Sequence, residues 1–161
     1  MADKTHLYRL TLDWTGNHGS GTSAYRAYSR NHSLSAPGKP PIPGSSDPAF
    51  LGDPTRWNPE ELLVASLSAC HQLWYLHLAS TVGLIVTAYR DEAEGVMIEQ
   101  PDGAGQFDSV TLHPHVTLAA HHDAAAIAQA HKLHDSAHAM CFVARSMAFP
   151  VRCEPTVMLE S

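Results

Sequence analysis

The chain has 161 residues, 44% hydrophobic and 16% charged, the composition of a globular protein large enough to bury one substantial core. Its 10 basic and 16 acidic residues give a formal charge of −6 without any Lys/Arg run, so nothing favours binding to nucleic acid or to an anionic membrane. The first ten residues lack the apolar core of a signal peptide, which predicts a cytoplasmic protein. Three cysteines, Cys70, Cys141 and Cys153, are too few for a disulfide scaffold, and we expect them to be free, catalytic or redox-cycling.

The first 57 residues are predicted to form short strands and loops. Residues 7–14 alternate between two sets of side chains in the pattern of a half-buried strand. A Gly-rich turn follows at 15–23, residues 24–30 are expected to return as the second strand of a hairpin, and a short strand is expected at 32–36. Residues 36–57 contain six prolines and three glycines in 22 residues, which predicts a flap loop without regular elements, ordered near the following helix.

The longest helix signal runs from residue 58 to residue 83. Asn58 can cap this helix, Pro59 suits its first turn, Glu61 completes a capping box, and Gly83 ends it. Apolar residues are spread around its circumference, so we expect a core helix that is buried on most sides. Cys70 lies at its middle.

The remaining elements place this helix in an α+β fold. Strands are predicted at residues 84–94, 96–100, 107–118 and 149–159, a turn at 101–105 and a second helix at 119–139. Pro114 requires a sheet edge or a bulge, and Pro155 interrupts the last strand. This order of elements predicts one α+β domain over residues 1–161 with a mostly antiparallel sheet.

Two cysteines at helices could form a redox pair. Cys70 alone is as consistent with a buried core residue as with a reactive thiol, but Cys141 is expected at or just after the end of the second helix. A free thiol with a pKa of about 8.5 is only ~3% thiolate at pH 7, so an attacking cysteine in the middle of a helix needs a nearby Arg or His. Cys153 has no partner at an informative spacing and is expected to be an ordinary strand residue.

The segment NPEELLVASLSAC at residues 58–70 resembles the signature of the OsmC/Ohr family of thiol-dependent hydroperoxide reductases. The WTGN and GSGT turn and the single cysteine at the second helix are also similar, and the element order resembles that of the family over nearly the whole chain. The resemblance implies an intertwined homodimer in which curved sheets wrap paired central helices, with active sites at the subunit interface. It also implies that Cys70 reduces organic hydroperoxides and then forms a disulfide with Cys141. An external dithiol such as a lipoyl group would reduce that disulfide, and no bound cofactor is expected.

Glu60 matches the family's carboxylate that orients a catalytic arginine. Ten residues of straight helix would place Glu60 about 15 Å from Cys70 and roughly 80° around the axis. We therefore expect that Glu60 serves the Cys70 of a partner subunit, or that the helix breaks between the two residues. Glu60 is otherwise explained as a first-turn acid that favours the helix dipole. The positions at which the family carries its arginine hold no Arg here, so Arg26 and Arg56 are the preferred substitutes in a divergent OsmC-like member.

The twelve histidines support a different hypothesis. His134, His138 and Cys141 fall on one helix face with His131 close by, and two imidazoles and a thiolate at this spacing could hold zinc, given a fourth ligand or water. The alternative is that these histidines bind no metal and belong to a partly exposed helix rich in His and Ala. His138 could instead act as an acid or base near Cys141.

Aromatic side chains could supply an apolar pocket for the thiols. Trp74 lies one turn after Cys70, and further candidates are Phe50, Trp57, Phe142 and Phe149. Such a pocket would favour an alkyl hydroperoxide over hydrogen peroxide, because a small polar oxidant gains nothing from burying apolar surface. The alternative is that these rings belong to the core.

Two hypotheses about function follow. The first is a cysteine-based peroxidase for organic hydroperoxides, with the site residues Cys70, Cys141, Glu60, Arg26 and Arg56. The second is a non-catalytic OsmC-like protein that binds a small apolar ligand, or a metal ion at His134, His138 and Cys141. His71 and His77 are expected to be hydrogen-bonded core residues in either case.

Overall fold

Residues 4–161 are described by the structure, a computed structural model, and they form two α-helices and nine strands in three sheets. The α+β class predicted from the sequence is therefore confirmed. The chain divides into two compact units, Met1–Leu62 and Leu63–Ser161. The assignment of residues 1–161 to one domain stays a prediction.

The first unit is built on a three-stranded antiparallel sheet. Its strands are β1 (Thr11–Trp14), β2 (His32–Ser35) and β3 (Ile42–Gly44), in the order β1-β2-β3. Trp14 is paired with His32, which in turn is paired with Gly44. The first strand is thus shorter than predicted, and its hairpin partner is the segment that starts at His32.

The prediction of a strand at residues 24–30 is wrong. This segment forms turns, with the Ala27 amide donating to the Ala24 carbonyl at 2.9 Å. The Arg30 guanidinium donates to the carbonyl oxygens of Tyr25 and Tyr28 and lies 4.3 and 4.4 Å from the centres of their rings. These local contacts fold the segment back on itself and take the place of strand pairing.

The prediction that residues 36–57 lack regular elements is also wrong. They contain β3 and a short 3-10 helix, Pro48–Phe50. Ser45 is fully buried, where its hydroxyl donates to Asn31 Oδ1 at 3.0 Å and accepts the Asp53 amide at 3.1 Å. A Cβ at Gly52 would collide with the carbonyl of Ser46, so this turn requires glycine. Backbone and hydroxyl hydrogen bonds therefore order the loop.

The central helix α1 (Pro59–Thr81) begins as its sequence predicts. The Glu61 amide donates to Asn58 Oδ1 at 2.7 Å, and the Asn58 amide donates to Glu61 Oε2 at 3.1 Å, which completes the capping box. Gly83 follows the helix with φ +77, a conformation that favours glycine. The prediction that α1 is buried on most sides is wrong for the described chain. Its buried residues form one stripe: Leu67, His71, Tyr75 and Ala79.

The second unit contains two mixed sheets. One has the order β4 (Val86–Asp91), β7 (Pro114–Leu118), β9 (Thr156–Leu159), and the other the order β5 (Glu94–Glu99), β6 (Gly105–Leu112), β8 (Val151–Cys153). Each sheet has one antiparallel and one parallel pair of strands. The strands predicted at residues 107–118 and 149–159 are each split in two near their proline, because Pro114 begins β7 and Pro155 separates β8 from β9.

The second helix, α2 (Ala124–Met140), packs through small residues. Asp123 caps it by accepting the Ala126 amide at 2.9 Å. Buried alanines of α2 join Tyr75 and the residues of β7 in one core cluster, and Leu67 joins β6 in a second. Cys141 is the C-cap residue, as predicted. Neither α-helix of the described chain combines the length and hydropathy that a membrane span requires.

Candidate functional site

The Cys70 thiol lies close enough to the Cys141 thiol to help raise the pKa of Cys141. Cys70 lies in the middle of α1, and Cys141 stands where α2 ends and the backbone becomes extended. Both cysteines are free. The fold of the second unit thus brings together two thiols that are distant in the sequence, in an arrangement that suits reversible disulfide chemistry.

The two thiols differ in their surroundings. Cys141 is 1% exposed, whereas Cys70 is half-buried. The Ala144 amide lies 3.4 Å from Cys141 Sγ and donates to it. Burial, followed by the neighbouring Cys70 thiol, raises the pKa of Cys141 to about 11, although the Ala144 amide opposes the rise. Cys141 is therefore a protonated thiol at neutral pH, and Cys70 is the more accessible of the two to a reagent from solution.

An apolar groove lies along α1, on the C-terminal side of Cys70. It has a volume of about 310 Å³ and is lined by Leu73, Trp74 and His77. The ring of Phe142, the residue after Cys141, packs edge-on against Trp74 with 5.5 Å between ring centres. The helices that supply the thiols thus also supply exposed apolar surface. His77 is exposed, so the prediction that it is a core residue is wrong.

The other aromatic candidates lie elsewhere. Phe149 packs against Phe107, with ring centres 5.4 Å apart, within the core cluster of β6. Phe50 and Trp57 belong to the first unit. Of the five aromatic residues proposed for a pocket, the structure brings Trp74 and Phe142 together.

Glu60, Arg26 and Arg56 belong to the first unit, whereas both thiols belong to the second. Arg26 is exposed in a turn, and Arg56 Nε lies 3.5 Å from Asp53 Oδ2. Because α1 is unbroken from Pro59 to Thr81, the expectation that it breaks between Glu60 and Cys70 is wrong. The pairing of Glu60 with the Cys70 of a partner subunit stays a prediction.

A second group of chemically reactive side chains lies in the core of the second unit. His71 of α1, His134 of α2 and Cys153 of β8 have ligand-type atoms that all lie within 4.8 Å of one another. This set differs from the predicted one, because His134 is grouped with His71 and Cys153 and not with His138 and Cys141. His71 is buried and hydrogen-bonded, as predicted.

Burial controls the charge of this group. Loss of solvent lowers the pKa of His71 to about 4 and that of His134 to about 3, so both imidazoles are neutral at pH 7. Burial also raises the pKa of Cys153 to about 12, with a further rise from the negative charge of Asp91. Sequence reasoning missed Cys153 because its partners are 82 and 19 residues away and on other elements.

A family model described as OsmC-like protein matches residues 52–156 of the chain. Among solved structures, an OsmC-like protein of unknown function from Vibrio cholerae has a TM-score of 0.84 and 28% sequence identity. That similarity covers 94% of this chain and 100% of that chain. No curated protein sequence matches the chain.

Two further structures carry names that refer to organic hydroperoxides. An organic hydroperoxide resistance protein from Legionella pneumophila has a TM-score of 0.65 and 19% identity, covering 95% of this chain and 98% of that chain. An organic hydroperoxide resistance protein from Elizabethkingia anophelis has a TM-score of 0.66 and 18% identity, covering 98% of this chain and 100% of that chain. At these identities the similarity shows the fold alone.

Proposed function

The chain belongs to the OsmC-like family, whose model matches residues 52–156, and we propose that it is a thiol-dependent peroxidase that reduces organic hydroperoxides. Membership of a family that includes hydroperoxide resistance proteins supports peroxide-related redox chemistry. The observation that carries the proposal is the proximity of two free thiols, Cys70 in the middle of α1 and Cys141 at the end of α2.

Cys70 is the proposed attacking thiol because it is the more exposed of the pair. Its thiolate attacks the distal oxygen of the hydroperoxide, a sulfur–oxygen bond forms, and the oxygen–oxygen bond breaks. The leaving alkoxide takes a proton and departs as the alcohol. Cys70 is left as a sulfenic acid, the first step of cysteine oxidation.

Cys141 is the proposed resolving thiol. Its sulfur attacks the sulfur of the sulfenic acid, a disulfide forms, and the hydroxyl group departs as water with the proton that Cys141 held. The raised pKa of Cys141 suits this order of events, because the thiol keeps its proton until an oxidised neighbour is present. An external dithiol, such as a lipoyl group, then supplies two electrons and two protons and leaves as its own disulfide.

The groove along α1 supports an organic substrate. Leu73, Trp74 and Phe142 offer exposed apolar surface beside the segments that carry the thiols. An alkyl or aryl group gains free energy by covering such surface, whereas hydrogen peroxide has no apolar part to place there.

Ionisation of Cys70 requires positive charge, and we propose Arg26 or Arg56 as its source, with Glu60 orienting the arginine. Replacement of each arginine by alanine tests this assignment, with Arg90→Ala as the control because Arg90 is exposed and pairs with Glu92. Replacement of the arginine that serves Cys70 should lower kcat/KM for peroxide, whereas Arg90→Ala should leave it unchanged. An unchanged kcat/KM in both Arg26→Ala and Arg56→Ala would contradict the role.

A homodimer is the proposed assembly. β1 exposes two large apolar side chains on alternate residues, Leu12 at 56% and Trp14 at 42%, and β5 exposes three successive ones at Val96, Met97 and Ile98. A second copy of the chain would cover such surfaces. Sedimentation equilibrium of the purified protein should give twice the chain mass, and a monomer would contradict the assembly.

Activity of cysteine variants tests the proposed function. Cys70→Ser should abolish consumption of cumene hydroperoxide with a dithiol reductant, and Cys141→Ser should allow a single turnover that leaves Cys70 as a trappable sulfenic acid. Ser66→Ala is the control, because Ser66 is exposed on α1 one turn before Cys70. Full activity in Cys70→Ser would refute the proposal.

A binding protein on the same scaffold is the second candidate function, and the groove of Leu73, Trp74 and His77 is the observation that favours it. In that case Cys70→Ser should still bind an apolar probe such as cumyl alcohol with unchanged affinity, while the wild-type protein consumes no hydroperoxide. Turnover by the wild-type protein would reject this candidate.

A further inference from the structure

Three elements of the second unit place His71, His134 and Cys153 in one buried cluster. His71 Nε2 and His134 Nδ1 are 3.0 Å apart. Cys153 Sγ lies 3.5 Å from His71 Nε2 and 3.8 Å from His134 Nδ1. The histidines are 1% and 2% exposed, and Cys153 is half-buried. Two nitrogens and a sulfur therefore form a small triangle inside the protein.

The triangle has the dimensions of a face of a zinc coordination tetrahedron. Zinc–nitrogen bonds of about 2.0–2.1 Å and a zinc–sulfur bond of about 2.3 Å place ligand nitrogens roughly 3.3 Å apart and nitrogen and sulfur roughly 3.6 Å apart. The observed nitrogen–nitrogen distance of 3.0 Å is slightly shorter than the zinc value. The two nitrogen–sulfur distances, 3.5 and 3.8 Å, lie slightly below and slightly above the zinc value for nitrogen and sulfur. Imidazole nitrogen and thiolate sulfur are also the donor types that zinc prefers.

The surroundings suit a bound cation. The negative charge of Asp91 lies beside the segment that carries His71, because its carboxylate contacts Ser68, three residues before His71 on α1. Its carboxylate is held by the Ser68 hydroxyl and by the His113 amide at 2.7 Å. A divalent ion would be balanced by this carboxylate together with one thiolate. Charge balance of this kind offsets the cost of burying an ion.

Two tyrosines next to the cluster have hydroxyl groups without a hydrogen-bond partner within residues 4–161. These are the buried hydroxyls of Tyr75 and Tyr89, whose rings lie against each other with 5.8 Å between their centres. The Tyr75 ring also stacks on His134, with 4.0 Å between ring centres. Buried polar groups are normally hydrogen-bonded, so a partner for these hydroxyls is expected. A water molecule in a fourth coordination position would provide one.

We propose that His71, His134 and Cys153 form a zinc site, with water as the fourth ligand. The site shares no residue with the Cys70–Cys141 pair and goes beyond the proposed peroxidase function. Zinc would tie α1, α2 and β8 together at the centre of the second unit. Binding replaces the proton of the Cys153 thiol with the metal ion and releases that proton to solvent. The imidazole proton shared by His71 Nε2 and His134 Nδ1 moves to the other nitrogen of its own ring, so that both nitrogens can bind zinc. The bound thiolate would also be shielded from the peroxide that oxidises Cys70.

Cobalt titration of untagged, chelator-treated protein tests the site directly. A single equivalent of Co²⁺ should produce the visible bands of tetrahedral cobalt and a thiolate-to-cobalt charge-transfer band, and a single equivalent of Zn²⁺ should remove both. Weak octahedral bands without charge transfer would overturn the proposal, because they would indicate binding to surface histidines.

Variants locate the ligands. Loss of a partner beyond the first coordination shell typically weakens metal binding by about 10–100-fold, so Cys153→Ser should weaken zinc binding by at least ~100-fold and abolish the charge-transfer band. His131→Ala is the matched control, since His131 is exposed on the same helix three residues before His134, and it should bind zinc unchanged. An unchanged affinity in Cys153→Ser would overturn the proposal.

Two further measurements keep the test independent of the peroxidase proposal and of variant stability. Cys70→Ser should bind zinc as the wild-type protein does, even though its peroxidase activity is lost. X-ray absorption of the zinc-loaded wild-type protein should show one sulfur ligand with nitrogen or oxygen ligands. Two sulfur ligands would assign the metal to Cys70 and Cys141, and the absence of sulfur would assign it to nitrogen or oxygen ligands without Cys153. Either result overturns the site.

Discussion

The raised pKa of Cys141 predicts how slowly this thiol is alkylated in the absence of Cys70. In the Cys70→Ser variant the serine hydroxyl keeps a hydrogen-bonding group beside Cys141, and burial, the larger cause of the shift, is unchanged. A thiol with a pKa of about 11 has about one thiolate in ten thousand molecules at pH 7, against ~3% for an ordinary cysteine. Alkylation should therefore be about 300-fold slower than for a cysteine peptide, before any effect of restricted access.

The direction of the shift fixes the pH dependence. Because the pKa is raised, the thiolate appears only as the pH increases, and the rate should rise about tenfold per pH unit from pH 7 towards the pKa. Iodoacetamide labelling followed by peptide mass spectrometry measures Cys141 separately from Cys153, and circular dichroism verifies that the fold persists at each pH. A rate for Cys141 that levels off below pH 9 would refute the reasoning.

Three further predictions concern stability and substrate choice. Leu67→Ala should lower the free energy of unfolding by about 2–5 kcal/mol, because Leu67 is 0% exposed in the core with Val110 and Leu112. Leu73 is 66% exposed, so Leu73→Ala should change the free energy of unfolding by no more than about 0.5 kcal/mol. Urea titration of both variants at fixed protein concentration measures the difference. Asp123→Ala removes the cap of α2 and should cost about 1 kcal/mol, whereas an unchanged midpoint would show that the cap contributes nothing. Trp74→Ala should raise the KM for cumene hydroperoxide about tenfold, which corresponds to the loss of roughly 55 Å² of apolar contact, and should leave the KM for hydrogen peroxide unchanged. Equal effects on both substrates would show that the groove does not bind the substrate.

Features that depend on neighbouring residues were predicted well from the sequence. The capping box of Asn58 and Glu61 fixes the start of α1, and Cys141 marks the end of α2, because these signals act within one helical turn. The start of α2 was predicted at residue 119, which is wrong, because the helix begins only after its cap at Asp123. The α+β class follows from the order of such elements. The position of Cys141 at a helix end was likewise available from local signals.

Features that depend on particular side-chain contacts or on packing between elements were not predicted. Residues 24–30 have the composition of a strand, but the stacking of Arg30 on Tyr25 and Tyr28 folds them into turns. Pro114 indicated an irregularity in a strand. That the chain passes at this proline from β6 in one sheet to β7 in another depends on which strands pair with each of them, and the sequence does not signal this pairing. The grouping of His134 with His71 and Cys153 depends on the packing of three elements, for which no spacing in the sequence gives a signal.

The exposed face of α1 is a different kind of discrepancy. Apolar residues around the helix predicted burial on most sides, and the described chain buries one stripe. In the proposed homodimer a second copy would cover part of the remaining apolar surface. The sequence pattern would then describe the burial of the helix in the assembly and not in one chain.

The most direct test of the central claim is the mass of the intact, reduced protein after one equivalent of cumene hydroperoxide, with peptide mapping of the thiols. If Cys70 and Cys141 form the redox pair, the protein should lose two hydrogen atoms and gain a disulfide between these two residues. Cys153 should remain reduced. An unchanged mass, or an oxidised product that does not link Cys70 to Cys141, would contradict the proposed two-cysteine cycle.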